Sequence, residues 1–244
     1  MPNNNVSAMD RGGLYELIAS LYLQLPTIEN VEQISNALIN AEDIFHDIDF
    51  SKLIVEAKQR KEKLTKEPDY IEELEQEYYD HFLVPIASSY IPPYESFIKG
   101  AIKLAPGEGR KNKGGWKYNR STVLLDYNVN LAYDSVGFQP QNMNIIKELK
   151  HQNKMDHLGF ELAFMAFLCN MESQELFNEE QESDSESNIK NSVKWYNLQT
   201  QFLKEHLLSF INTYYKISIE KAKPFYRSLS ELLNNYIEWD LKNR

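Results

Sequence analysis

Apolar residues recur along most of this chain at three- and four-residue spacing, the rhythm of helices that bury one face. From Arg11 the run Leu14, Leu17, Ile18, Leu21, Tyr22 and Leu25 marks a first helix, which Pro26 ends. Val31, Ile34, Leu38 and Ile39 mark a second, and Ile48 to Leu64 a third, with Leu53, Ile54, Ala57 and Leu64 inward and the lysines outward. Pro68-Asp69 opens a fourth, because proline is tolerated at a helix entry, and it runs to Phe82 with Leu74, Tyr78 and Phe82 four apart. Ser121 is placed to cap a helix reaching roughly Val136, and Gly137 to end it. Met155 to Met171 is apolar nearly all round, which predicts a helix at the centre of a bundle.

Two stretches break the rhythm. Leu104 to Arg120 holds five glycines and prolines among a cluster of bases, the composition of a loop. Glu172 to Glu186 carries seven acids and no base, which predicts a solvated, mobile acidic linker over 173–191. Beyond it, Trp195 to Phe210 and Ala222 to Trp239 mark two closing helices. No strand alternation and no internal repeat is visible. The expected fold is all-α: a flexible N-terminus over 1–10, one helical bundle over 11–172, the linker, and a C-terminal helix pair over 192–244. That pair is expected to pack on its own bundle or to swap with a second copy, giving a monomer or a domain-swapped dimer.

Between the fourth helix and the glycine loop lies Tyr78 to Lys99, which reads YYDHFLVPIASSYIPPYESFIK. Val84-Pro85 stops the helix, and Pro92-Pro93 stiffens a crossing that carries Ile86, Tyr90, Ile91 and Tyr94. On physical grounds it is either a buried interhelical connection or one wall of a peptide groove.

Composition narrows the function classes. At 244 residues with 42% hydrophobic and 12% aromatic content, the chain has a sizeable core. No run approaches the roughly 20 apolar residues that span a bilayer, and the N-terminus lacks a secretory signal, so a cytoplasmic protein without stable membrane insertion is expected. A net charge of −10 argues against nucleic acid and is compatible with a basic partner. The single Cys169 excludes an internal disulfide.

Candidate chemistry is sparse. Asp80-His81, Asp156-His157 and Glu205-His206 are sequence neighbours, but adjacent helical residues point about 100° apart and make no catalytic dyad. Asp156 is expected to cap its own helix, and Glu161 to find His157 one turn away as its partner. That pair lacks further ligands at metal spacing, so no metal and no cofactor are expected. Gly109 to Gly115 fails the phosphate-loop pattern, since Gly115-Trp116 stands where lysine and serine are needed. No enzyme mechanism is legible.

Two signatures then carry a resemblance. Glu77-Tyr78-Tyr79-Asp80-His81-Phe82 with Pro85 and Pro92-Pro93-Tyr94-Glu95-Ser96, followed by Asp156-His157-Leu158-Gly159-Phe160-Glu161-Leu162-Ala163-Phe164-Met165, resembles the TorD/DmsD/NarJ family of molybdoenzyme maturation chaperones. Tyr133 with Gly137-Phe138, Phe202 to His206 and Phe225-Tyr226 resemble that family in order and spacing. Tyr78 stands where some members carry tryptophan, His81 where leucine is usual, and Met155 where proline often precedes the Asp-His pair.

The resemblance implies an all-helical, non-catalytic cytosolic chaperone. Its partner would be the catalytic subunit of a molybdopterin oxidoreductase, bound through an N-terminal leader, often a twin-arginine signal peptide, until the cofactor is inserted. The implied peptide-binding residues are Tyr78, His81, Phe82, Pro93, Tyr94, Glu95, Ser96, Asp156 and His157, with Glu161 beside them. Tyr78, Phe82, Tyr90 and Tyr94 are suited to an apolar stretch and to stacked arginine, and Glu95, Asp80 or Asp156 to guanidinium pairing. The alternatives are assembly of a non-exported, membrane-anchored reductase, as in the NarJ branch, and a nucleotide or metal hydrolase.

Overall fold

A computed structural model describes residues 6–105, 115–119, 123–151, 154–181 and 186–244. Helix α1 (Ala8–Leu23) starts one turn before the apolar rhythm does. Ser7 and Asp10 explain the early start: the Ser7 Oγ accepts from the Asp10 amide and the Asp10 carboxylate accepts from the Ser7 amide, both at 3.1 Å. Next come α2 (Ile28–Glu42), capped by Thr27, then α3 (Ser51–Lys66), α4 (Tyr70–Phe82) and the short α5 (Glu95–Lys99). Helices α6 (Val123–Asp134) and α7 (Lys147–Lys150) lead to α8 (Leu158–Gln181). After α6, Gly137 sits at φ +73°, the left-handed conformation that glycine supplies after a helix end.

The C-terminal region differs from two separate helices behind a linker. Helix α8 runs on through Glu172 to Gln181, and α9 (Glu186–Phe202) begins after the four residues 182–185, which lie outside the described residues. Glutamate and glutamine are good helix formers, and α8 and α9 pack along one another, so acidic composition does not end the helix here. Glu172, where the pattern breaks in sequence, is buried: it accepts from Arg11 Nη2 and Gln199 Nε2, each at 2.8 Å. A π-helical turn (Leu203–Leu207) joins α9 directly to α10 (Leu208–Lys221), and α11 (Pro224–Lys242) carries its proline in the first turn.

A second difference is an antiparallel hairpin, β1 (Ala101–Leu104) and β2 (Gly115–Tyr118), paired from Ala101↔Tyr118 to Leu104↔Gly115. Strands of four residues are too short to show an alternation in sequence. The hairpin is tethered to the end of α10, where Glu220 accepts from Lys103 Nζ at 2.5 Å and from Trp116 Nε1 at 3.1 Å. Ser121, the expected cap of α6, lies outside the described residues.

One continuous apolar core runs through the bundle and takes in the closing helices, from Tyr15 and Ile18 of α1 through Leu162 and Met165 of α8 to Tyr236 and Ile237 of α11. Its axis is α8, flanked by α1 and α9. Gly12 and Gly159 let α1 and α8 approach closely. A Cβ on Gly159 would lie 2.6 Å from Leu23 Cγ, and one on Gly12 would lie 3.1 Å from Cys169 Cβ. Among the described residues, no helix is long and apolar enough to cross a membrane.

Gly159→Ala is therefore expected to force α1 away from α8 and to cost about 1–3 kcal/mol of stability. Urea unfolding measures it, and an unchanged midpoint would contradict the close packing.

Candidate functional site

The two signatures are 60 residues apart and meet backbone to backbone. After α4 the chain turns at Val84-Pro85 and returns, with the Ile91 amide donating to the His81 carbonyl at 2.9 Å. Tyr94 and His157 then form an isolated antiparallel bridge, with Glu95 N–H donating to Asp156 O at 2.9 Å and Leu158 N–H to Pro93 O at 2.8 Å. Proline has no amide to donate, but its carbonyl still accepts, so Pro93 contributes a rung without breaking the pairing.

Asp156 caps a helix, though not its own. Its Oδ2 accepts from the Ser96 amide at 2.9 Å, in the first turn of α5. The start of α8 is served by His157, whose Nδ1 accepts from the Gly159 amide at 3.1 Å. A side chain one residue further from the helix than expected reaches across the bridge because the bridge holds α5 beside it.

Glu95 is completely buried. Its Oε2 meets His206 Nδ1 at 2.9 Å, and its Oε1 takes the Lys99 ammonium and the Ser209 hydroxyl, the latter at 3.2 Å. Burial alone would raise its pKa. The His206 and Lys99 contacts outweigh burial and hold the carboxyl below its usual range. Glu161, also fully buried, does not pair with His157 as expected: neither of its oxygens has a hydrogen-bond partner, and His157 Nε2 has none either. Burial, reinforced by the charges of Glu95 and Asp156, drives the Glu161 carboxyl well above the ordinary range. Burial also raises Asp156, against the lowering effect of its Ser96 bonds.

Tyr78, His81 and Phe82 form a neighbouring cluster. The Tyr78 hydroxyl donates to Tyr22 O at 2.7 Å, His81 stacks on Tyr226 with centroids 4.6 Å apart, and Phe82 meets Tyr22 and Tyr226 edge-on or tilted at 5.3 and 5.0 Å. All three are at most 2% exposed. Burial pulls the His81 and His157 imidazoles down to about 3. Tyr133 and Phe138 support the second signature from outside, Tyr133 donating to Met155 O at 3.2 Å and packing on Phe164 and Phe138.

Most of the signature residues are buried, with Tyr78 reaching a cleft beside α1 and α2 and Phe164 a groove wall. A groove of about 410 Å³ opens beside them between α6 and the α9–π segment, with Leu125, Leu131, Phe164, Leu198 and Phe202 as its apolar walls and His206 at its floor. Asn128, Ser135, Gln201 and Glu205 form a polar rim. His206 links groove and buried cluster, because its ring contacts Glu95 on the inner side. The π turn that carries it is a rare geometry often found at functional positions. Of the Glu95 partners, Lys99 was legible as a residue one turn on. His206 and Ser209 were not, since no spacing rule connects them to Glu95. Among the described residues no three acidic, histidine or cysteine side chains are grouped to hold a metal ion.

The buried ionisable groups set the pH response. Unfolded imidazoles take up protons near 6.5, whereas folded His81 and His157 resist to about 3, so each loses about 2 kcal/mol of stability between pH 7 and pH 5. His81→Phe, which keeps the stacking on Tyr226, is expected to flatten the loss over that interval by about 2 kcal/mol in urea titrations at both pH values. Glu161 has the opposite sign: its raised carboxyl costs stability as pH climbs above about 4.5. Glu161→Gln is expected to be more stable than the parent at pH 7 and equal to it at pH 4; equality at both would refute the upward shift of the carboxyl.

A family model described as nitrate reductase delta subunit matches residues 51–215, well over half of the chain. The match spans both signatures, the α6 and α9 walls of the groove, and His206. No curated relative and no solved structure matches the chain. The family is one of chaperones for molybdoenzyme assembly that carry no catalytic activity, which sets aside the hydrolase alternatives. With that match over its central helices, the chain belongs to the nitrate reductase delta subunit family.

Proposed function

We propose that this chaperone binds the N-terminal leader of a molybdopterin oxidoreductase catalytic subunit in the groove between α6 and the α9–π segment, holding the subunit in the cytoplasm until its cofactor is inserted. The observation that carries the reading is the groove itself: an open apolar channel whose floor residue, His206, is fixed by the buried Glu95 of the first signature. A helical or extended leader with apolar side chains would bury them against Leu125, Leu131 and Phe202. Glu205 at the rim and the net charge of −10 favour a leader that also carries basic residues. Tyr78, His81, Phe82, Pro93, Tyr94, Glu95, Ser96, Asp156, His157 and Glu161 act in this reading by shaping the wall rather than by touching the leader, since all are buried. The closing helices complete the core of their own chain, which supports a monomer over a swapped dimer.

The client's leader is read as a twin-arginine signal whose export is delayed. The family's description, nitrate reductase delta subunit, favours a second reading in which the client is a membrane-anchored reductase that is not exported. Mass spectrometry of the large subunit that co-purifies from the native cell distinguishes them, by presence or absence of paired arginines in its leader.

Leu131 is 47% exposed on the groove wall, so replacing it should leave the fold intact. Leu131→Glu is expected to weaken leader binding roughly tenfold by calorimetric titration. Saturable binding of equal strength in parent and variant would exclude the groove; no saturable binding of the parent to leader or apoenzyme would exclude the function.

A further inference from the structure

Helices α1 and α8 run antiparallel in close contact, and one side of their seam is uncovered. A groove of about 380 Å³ follows it, lined by Ala19, Leu23, Ala163, Ala166 and Phe167, with Glu16 and Asn170 exposed at its edge. Gln24 Nε2 donates to Asn144 O at 3.3 Å and closes one end. Toward the other end, Met9 continues the α1 stripe of Glu16 and Ser20, and Phe177 continues the α8 stripe of Ala163, Ala166 and Asn170. Gly12 packs against Cys169 and Asn170, a register that puts Met9 beside the turn of α8 ending at Phe177. Both side chains are large and apolar, yet 69% and 60% exposed. Gly13 lies between Met9 and Glu16 on the same stripe, and a Cβ there would meet nothing within 4 Å.

We propose that this seam is a docking surface for an amphipathic helix of a partner protein, one whose apolar stripe is flanked by lysine or arginine. The surface is separate from the α6–α9 groove, and the inference does not rest on the leader-binding reading. Two parallel ridges with a small-residue floor accept a third helix at the usual interaxial distance, because no large side chain holds it off. An extended strand would leave its amides without partners against walls made of side chains. From Met9 to Leu23 the stripe is about 21 Å long, which matches a partner helix of about four turns. Its apolar residues would bury Met9 and Phe177 at one end and meet Leu23 and Phe167 at the other.

Charge selects the partner. Glu16 is the charged side chain of the groove, and no base lines it. Beyond Phe177 the sequence continues with Glu179, Glu180 and Glu182, within a chain of net charge −10. A basic partner helix gains from this field, whereas a second copy of the chain would bring the same acidic surface to both sides.

The test uses a synthetic helical peptide of about four turns, with leucines on one face and lysines flanking them, and a counterpart with glutamate in place of lysine. The lysine peptide is expected to bind the parent protein saturably in calorimetric titration, and the glutamate peptide not to bind. Gly13→Leu fills the groove without an internal clash and favours the helix, so the fold is kept; it is expected to weaken the lysine peptide about tenfold. Phe177→Ser is expected to weaken it several-fold, and Glu16→Lys to weaken the lysine peptide while admitting the glutamate one. Leu131→Glu, in the other groove, is expected to change nothing. No saturable binding of the lysine peptide, or equal binding by the parent, Gly13→Leu and Phe177→Ser, overturns the docking surface. So does binding that Leu131→Glu abolishes, which would place the peptide in the α6–α9 groove. Sedimentation of the free protein is expected to show no dimer that Phe177→Ser dissolves; such a dimer would make a second copy the occupant and overturn the proposed partner.

Discussion

A carboxylate with no solvent exposure ties this fold together. Removing Glu95 from water costs several kcal/mol unless charge and hydrogen bonds replace hydration. The replacements come from two directions: Lys99 one turn along α5, and His206 with Ser209 from a helical segment 111 residues distant for the histidine. The helix that starts at Glu95 is only five residues long and has little stability of its own. It persists because Asp156 caps its first turn from the opposite strand of the bridge and because Glu95 anchors it to the π turn. The α4–α5 crossing, the entry to α8 and the α9–α10 junction are therefore held at one point.

That arrangement separates support from contact. Most residues of the family signatures form a buried frame, and an accessible groove lies beside it between α6 and α9. In the proposed function, such a frame would let the groove present apolar walls to a client while the signature residues themselves stay buried. Burial and the neighbouring charges of Glu95 and Asp156 push the unpartnered Glu161 carboxyl inside the frame well above the ordinary range, which favours its uncharged form beside them.

Much of the helical content was legible, because amphipathic periodicity is a local property that packing then rewards. The stripes in α1 to α4 and the all-round apolar face of α8 appear where residue spacing placed them. The hairpin was not legible, since four-residue strands show no period and their pairing depends on tethers to Glu220. The acidic stretch misled for a different reason. Charge density reads as solvation in a single segment, yet here glutamates continue α8, and Glu172 is neutralised by Arg11, 161 positions earlier.

The chain by itself determined an all-helical bundle, a central α8, a stiff apolar crossing from Tyr78 to Lys99, and the pairing of signatures that marks its family. These follow from spacing, proline placement and residue type, which act over a turn or two of chain. Only the tertiary structure decided that Asp156 caps α5, that Glu95 belongs to His206, that Glu161 and His157 remain apart, and that Tyr78 and Phe82 lie in the core while Leu131 and Phe202 face the groove. Burial and long-range partnering depend on which distant segments meet, and no local spacing encodes that.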